Sequence, residues 1–489
     1  MPQLSKSFLL ENEPELAPLF ALPEKVLQFG TGVLLRGLPD FFIEKANRAG
    51  LFNGRVVAVK STDRGDAGAF GRQDNLYTLC TRGLENGQKV EENLVCTAIS
   101  RVLVAREKWP EVLACARNPE LQIVISNTTE VGLQMLEEDV RQAPPQSFPG
   151  KLLAVLLERC QCFAGDPARG LLIVPTELIP GNGDKLKAFL LELARFNRLD
   201  AGFTQWLETA CIFCNSLVDR IVPGKPVGDL PGAPDYADEL LTAAEPYRLW
   251  AIEGDERVKK VLSFCSADPG VIIAPDIELY RELKLRLLNG THTLSCGLAW
   301  LAGFDTVGQA MGDPLMATYI ERLMLREIAP AIPFPVAPEA AERFGRQVLE
   351  RFRNPFVEHK WLSITVQYSA KMRARNVPVL LEHYRQGGGV PESIALGFAA
   401  FLLFYAPASV RNEAVFGATR SSIDIHDDHA AYFFDQWEKH APADLPRAVL
   451  SDAAFWGTDL AALPGFAERV TALLLEMLEK GARECIYTN

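Results

Sequence analysis

Lys284, Asn289 and His292 interrupt an otherwise apolar stretch, LYRELKLRLLNGTHTLSCGLAWLAG. Read as an α-helix of about 3.6 residues per turn, it places His292 about 80° and Asn289 about 140° round from Lys284, so one broad face holds all three. Leu285 and Leu288 share that arc, and polar groups among them are costly unless they bond something. Burial and a neighbouring positive charge both disfavour an ammonium, which suits a lysine to proton exchange near neutrality. When a ketone is reduced, hydride arriving at carbon leaves negative charge on oxygen. Lys284 would protonate that oxygen while Asn289 and His292 donate hydrogen bonds to it. The alternative is a structural helix whose lysine reaches water, with the other two satisfied in packing.

Hydride chemistry needs a nucleotide, and KVLQFGTGVLLRGLPDFFIEKANRAG places Gly30-x-Gly32 between a β-run and an apolar helix. A glycine turn there lets the backbone approach a pyrophosphate, and the helix N-terminus offers free N–H groups. Leu35 stands where the third glycine of the dinucleotide fingerprint usually falls. Phe29 closes the strand, and Arg36, at the start of the helix, is read as serving the cofactor phosphates. The ribose-binding acid expected after the second strand has only Asp63 as a candidate, beside Lys60, Ser61 and Thr62, which leaves NAD and NADP both open. ISNTTEVG ends a further strand, so Asn127, Thr128, Thr129 and Glu130 are placed to meet ribose or nicotinamide, or else to cap a helix.

The elements that must hold these groups can be read from the apolar pattern. KVLQF, RVVAVKS, LQIVISN and LLIVPTELI are continuous apolar runs separated by helical stretches, the mark of a parallel sheet covered on both faces. NLYTLCTRG and QKVEENLVCTAISRVLVA read as an antiparallel insertion turning at LENGQ. From about residue 275 long amphipathic stretches take over. The expected architecture is α/β: a Rossmann-type doubly wound domain over 1–275, then a mainly helical domain over 276–489. A chain of 489 residues exceeds the usual single core, which agrees with two domains.

The net charge of −12 opposes nucleic-acid binding and obliges any anionic ligand to find a local cation. IALGFAAFLLFY is too short to span a membrane and reads as a buried helix, and the N-terminus carries acids where a secretory core would be apolar. The ten cysteines form no framework and are expected as reduced thiols of a cytoplasmic protein. In IDIHDDHAAYFF, His426, Asp427, Asp428 and His429 could ligate a metal, but consecutive residues diverge and DD suits a helix N-cap, so no metal is expected.

The K-x4-N-x2-H set, with LQFGTGVLLRG, SNTTE, PTELIPGNGD and NSLVDRIVPG, resembles the mannitol dehydrogenase family, the polyol-specific long-chain dehydrogenases, and within it the uronate branch. The resemblance runs from about Lys25 to EKGARE near the C-terminus. It implies a zinc-independent, NAD-linked interconversion of D-tagaturonate and D-altronate. Lys284 would be the general acid/base and Asn289 and His292 the oxyanion donors. Fructuronate/mannonate or a neutral polyol is the rival substrate, and a non-catalytic nucleotide or sugar sensor the rival class. Val218 and Asp219 match the family's substrate-side motif. Polyol members carry a second oxyanion asparagine where this chain has Leu178, so either Asn182 takes that part or the site manages without it. A uronate carboxylate requires a cation; Lys371, Arg373 and Arg375 lie close in sequence, and Lys371 matches a substrate-side basic position of the polyol branch, while the two arginines could equally sit on a solvated helix face. A monomer or weak homo-oligomer is expected.

Overall fold

The computed structural model describes residues 1–61, 67–128, 132–226, 231–407, 409–410 and 424–488. The chain sorts into two compact units, Met1–Gly83 with Lys89–Ile277, and Leu84–Gln88 with Glu278–Asn489.

In the first unit the strands β1 (Glu24–Phe29), β2 (Arg55–Lys60), β3 (Tyr77–Glu85), β4 (Gln88–Cys96), β5 (Ile99–Val104), β6 (Ile123–Ser126), β7 (Leu172–Pro175) and β8 (Ile212–Phe213) come first in the chain. Six of them form one sheet in the order β5-β2-β1-β6-β7-β8, with parallel pairing throughout. Counted along the chain, the parallel strands run 3-2-1-4-5-6, the doubly wound order. Successive residues serve opposite faces. Val26, Val56, Ala58, Ile123 and Ile125 fill one core, and Leu27, Val57, Val59 and Val124 the other. Burial on both faces is why these runs are apolar without alternation.

The expected insertion is only partly correct. β3 and β4 are joined through Asn86 and Gly87, both at positive φ (54° and 74°), and with the short strand Thr242–Ala244 on the other side of β3 form a three-stranded sheet. ISRVLV does not belong to it: as β5 it pairs with β2 in the main sheet. Arg55 ties that edge, donating to the carbonyls of Thr97 at 3.1 Å and Ile99 at 2.7 Å. The remaining strands β9 (Ser216–Asp219), β10 (Thr242–Ala244), β11 (Leu249–Glu253) and β12 (Val271–Ala274) are short, and β12-β11-β9 make a third sheet.

The second unit is helical among its described residues, as its amphipathic stretches predict. Its central helix, Glu392–Phe404, is buried at every residue from Ser393 onward. Glu327 caps it, accepting the N–H groups of Ser393 and Ile394 at 2.9 Å each. Helix Thr291–Leu301 lies against it closely enough that a Cβ on Gly397 would stand 2.9 Å from the Leu294 carbonyl oxygen. No described helix is long and apolar enough to cross a membrane.

Candidate active site

The turn after β1 is built around Gly30. Its φ of +132° is a conformation that side chains with a Cβ rarely adopt, and a Cβ there would stand 2.7 Å from Leu35 Cδ1 and 3.2 Å from the Asn127 carbonyl oxygen. Leu35, where the fingerprint glycine is missing, fills this space and is fully buried. Gly32 differs: its φ is −68° and a Cβ would meet no protein atom within 4 Å. The helix it opens is short, Val33–Gly37, because Pro39 pushes Leu38 out of helical geometry before a second helix, Pro39–Arg48, begins.

A cavity of about 530 Å³ opens here, lined by Phe29, Gly30, Gly32, Lys60, Asn127 and Thr128 among others. It lies at the carboxyl ends of β1 and β6, the point at which strand order reverses and doubly wound sheets bind ligand. An open glycine cradle at that point fits a dinucleotide pyrophosphate. Asn127 donates from Nδ2 to Thr176 Oγ1 at 3.0 Å, and the Thr128 N–H donates to Glu177 Oε1 at 2.8 Å. Glu177, which sequence reasoning passed over, is buried, and that burial pushes its carboxyl up. Asp63, Thr129 and Glu130 lie outside the described residues.

Three expected ligand contacts are instead structural. Arg36 is buried over the rings of Phe70 and Tyr77 and donates to the Leu240 carbonyl, so it is held in the core and not extended to a phosphate. Asn182 is fully buried: Nδ2 serves the carbonyls of Pro175, Glu177 and Ser216, while Oδ1 accepts from Gly183 and Ser216. No hydrogen-bonding capacity remains for an oxyanion. Val218 turns into the apolar core, whereas its neighbour Asp219 is a buried acid at the end of β9, paired across to Leu249.

In the second unit the decisive difference is the helix type. Lys284–Gly290 is π-helical, between α-helical Glu278–Leu283 and Thr291–Leu301. Bonding i→i+5 widens the turn, which brings residues five apart nearer to one face, and Lys284 and Asn289 are five apart. The angles drawn for an ideal α-helix therefore do not apply; the lysine and the asparagine lie closer in azimuth than that geometry allows. Both are half-buried. The Asn289 carbonyl accepts from Thr293 Oγ1 at 2.7 Å, while its side-chain amide bonds no other described residue.

His292 stacks on Phe352, with ring centroids 4.1 Å apart, and meets His359 and Trp361 edge-on at 5.0 and 6.0 Å. Its Nε2 is buried without a hydrogen-bond partner. Burial above all, reinforced by His359, Arg351 and Arg375, holds the imidazole well below its usual range, so it is neutral at neutral pH. A neutral ring with an uncommitted buried nitrogen can donate to an oxyanion.

The three cations of the 371–375 segment separate. Arg373 is exposed and donates to the Phe455 carbonyl at 3.3 Å, away from this group. Lys371 is half-buried, donates to the Ile364 carbonyl at 3.0 Å, and is pulled down by burial and by Arg375. Arg375 reaches the segment carrying Asn289, donating to Thr293 Oγ1 at 3.1 Å. Asp427, from the suspected metal motif, accepts from Ser369 N, Ser369 Oγ and Tyr405 Oη at 2.7 Å each, which makes it a structural tie.

The Mannitol dehydrogenase Rossmann domain matches residues 24–264 and the Mannitol dehydrogenase C-terminal domain residues 276–478. The chain is 38% identical over 479 residues to an altronate oxidoreductase of Halalkalibacterium halodurans, covering 95% of this chain and 93% of that one. It is 36% identical over 472 residues to an altronate oxidoreductase of Bacillus subtilis, covering 95% of each. Among solved structures, a ternary complex of Pseudomonas fluorescens mannitol 2-dehydrogenase with NAD and D-mannitol superposes with a TM-score of 0.67 at 22% identity over 99% of each chain. A substrate-free D-sorbitol dehydrogenase does so with a TM-score of 0.74 at 20% identity over 96% of each. By these matches over both halves, this chain belongs to the mannitol dehydrogenase family.

Proposed function

We propose that the chain is an NAD-dependent oxidoreductase interconverting D-tagaturonate and D-altronate. The observation that carries this reading is the similarity, along 95% of the chain, to altronate oxidoreductases at 36–38% identity. The Gly30–Gly32 turn would hold a nicotinamide dinucleotide, which when bound would supply or accept the hydride. Lys284 gives a proton to the substrate's carbonyl oxygen during reduction and removes it from the hydroxyl during oxidation. The Asn289 amide and the neutral His292 ring, both uncommitted to other described residues, hold that oxygen as charge develops on it. Neither donor need titrate to do so.

In this reading residues 1–275 hold the nucleotide and 276–489 supply the groups that act on the sugar. The enzyme works in the cytoplasm, as a monomer or weak homo-oligomer, on a small-molecule hexuronate and without a metal. The test is NADH oxidation and NAD reduction against a panel of substrates. Altronate should have the highest kcat/KM of the alcohols; a higher value for mannonate or mannitol would overturn the substrate assignment.

A further inference from the structure

A hexuronate carries its carboxylate at the far end of the sugar from the reacting carbon, and in a chain of net charge −12 that anion needs a placed cation. Arg375 meets the requirement in a way its neighbours do not. It is half-buried, and its Nη1 donates to Thr293 Oγ1 at 3.1 Å and, at the limit of bonding, to the Asn289 carbonyl at 3.5 Å. The guanidinium thus lies across the segment that presents Asn289 and His292. No acidic side chain among the described residues pairs with it, and its Nε and Nη2 bond no described residue.

A second arginine of the same neighbourhood shows what a structural role looks like. Arg286 is held by Glu282 at 2.9 Å and by the carbonyls of Ala374 and Arg375 at 2.8 Å each, so its charge is neutralised and its donors are engaged. Arg375 has no such counter-ion, although Lys371 lies four residues before it and the two cations repel. A partly desolvated guanidinium left without an anion, with two of its nitrogens unengaged, is costly unless an anion arrives.

We propose that Arg375 binds the substrate carboxylate and thereby sets the preference for a keto-uronate over the corresponding neutral ketose. The assignment rests on the hexuronate reading above and deepens it: the oxygen held by Asn289 and His292 and the carboxylate held by Arg375 mark the two ends of one substrate. It singles out Arg375 among the three cations weighed for that part, since Arg373 points elsewhere.

The experiment compares wild type, Arg375→Ala and Arg375→Lys in NADH oxidation with tagaturonate and with tagatose, its neutral counterpart. In Arg375→Ala the ratio of kcat/KM for tagaturonate over tagatose should fall on the order of 100-fold, with most of the change in KM for the uronate. Arg375→Lys should recover part of the ratio, because charge survives without the planar fork. Added guanidinium ion should restore part of the tagaturonate turnover of Arg375→Ala. Equal losses on both substrates, with no guanidinium rescue, would make Arg375 a packing residue acting through Thr293 and overturn the proposal; so would an unchanged ratio. A wild-type enzyme that binds NADH yet turns over no keto-uronate would overturn the functional reading itself, and this proposal with it.

Discussion

Replacing Gly30 and Gly32 separately by alanine tests whether the turn after β1 is a nucleotide cradle or merely a bend, because the structure gives the two glycines different reasons to lack a side chain. At Gly30 the φ of +132° costs an alanine about 1–3 kcal/mol. The added methyl would also stand 2.7 Å from Leu35 Cδ1. Leu35 is fully buried and cannot swing into water, so moving it costs about another 1–3 kcal/mol. Gly30→Ala should therefore lose about 2–6 kcal/mol of stability, and Leu35→Ala should relieve only the overlap, giving a coupling of about 1–3 kcal/mol in a double-mutant cycle. Gly32→Ala has an ordinary φ of −68° and no protein atom within 4 Å, so its fold should be nearly as stable as wild type. Its methyl projects into the space a pyrophosphate would need, and NADH affinity should fall about tenfold or more. Urea unfolding and NADH fluorescence titration read the two quantities. Unchanged NADH affinity in Gly32→Ala, or unchanged stability in Gly30→Ala, would refute the reasoning.

Two further predictions concern buried groups. Asp40 is fully buried, and burial pushes its carboxyl up to about 7 against the opposing pull of Gln28 and Arg36. An unfolded aspartate titrates near about 4, so between about pH 4 and 7 the native state binds more protons, and stability falls as pH rises through that window. Asp40→Asn removes this dependence: urea unfolding should show the variant gaining on wild type between pH 5 and pH 8, by up to a few kcal/mol, and an equal difference at both pH values would contradict it. His292→Phe keeps a ring on Phe352 but deletes the Nε2 donor, so kcat should drop roughly 10²- to 10³-fold with NADH affinity and thermal stability little changed, and a kcat within threefold of wild type would exclude an oxyanion role.

What was legible in the sequence follows from what each signal reports. Strands buried on both faces, such as Arg55–Lys60 with its apolar run over 56–59, carry continuous apolar runs and announce a parallel sheet. The edge strand Ile99–Val104 is only partly buried and admits Ser100 and Arg101, so it lacks the continuous apolar run of the central strands and was read as hairpin. Strands of three to five residues, such as Thr242–Ala244 and Leu249–Glu253, are too short for any period to emerge. The glycine turn was visible because positive φ leaves a mark on residue type. The π-helix at Lys284–Gly290 leaves none, since an apolar pattern laid out at 3.6 residues per turn does not register a locally wider turn. Asn182 and Arg36 show the other limit. A polar residue at a strand end or helix start has the same sequence appearance whether its partner is a ligand or a carbonyl, and only tertiary structure distinguishes them. Arg373 and Arg375, two residues apart, were equivalent on paper and face different surroundings in the fold.

The central claim is that the amine of Lys284 exchanges a proton with the sugar oxygen, and Lys284→Ala tests it most directly when single-turnover reduction of tagaturonate and NADH binding are measured on the same preparation. The account predicts that the hydride-transfer step slows roughly 10²- to 10⁴-fold while NADH affinity stays as in wild type. A variant that reduces tagaturonate within a few-fold of the wild-type rate would contradict it.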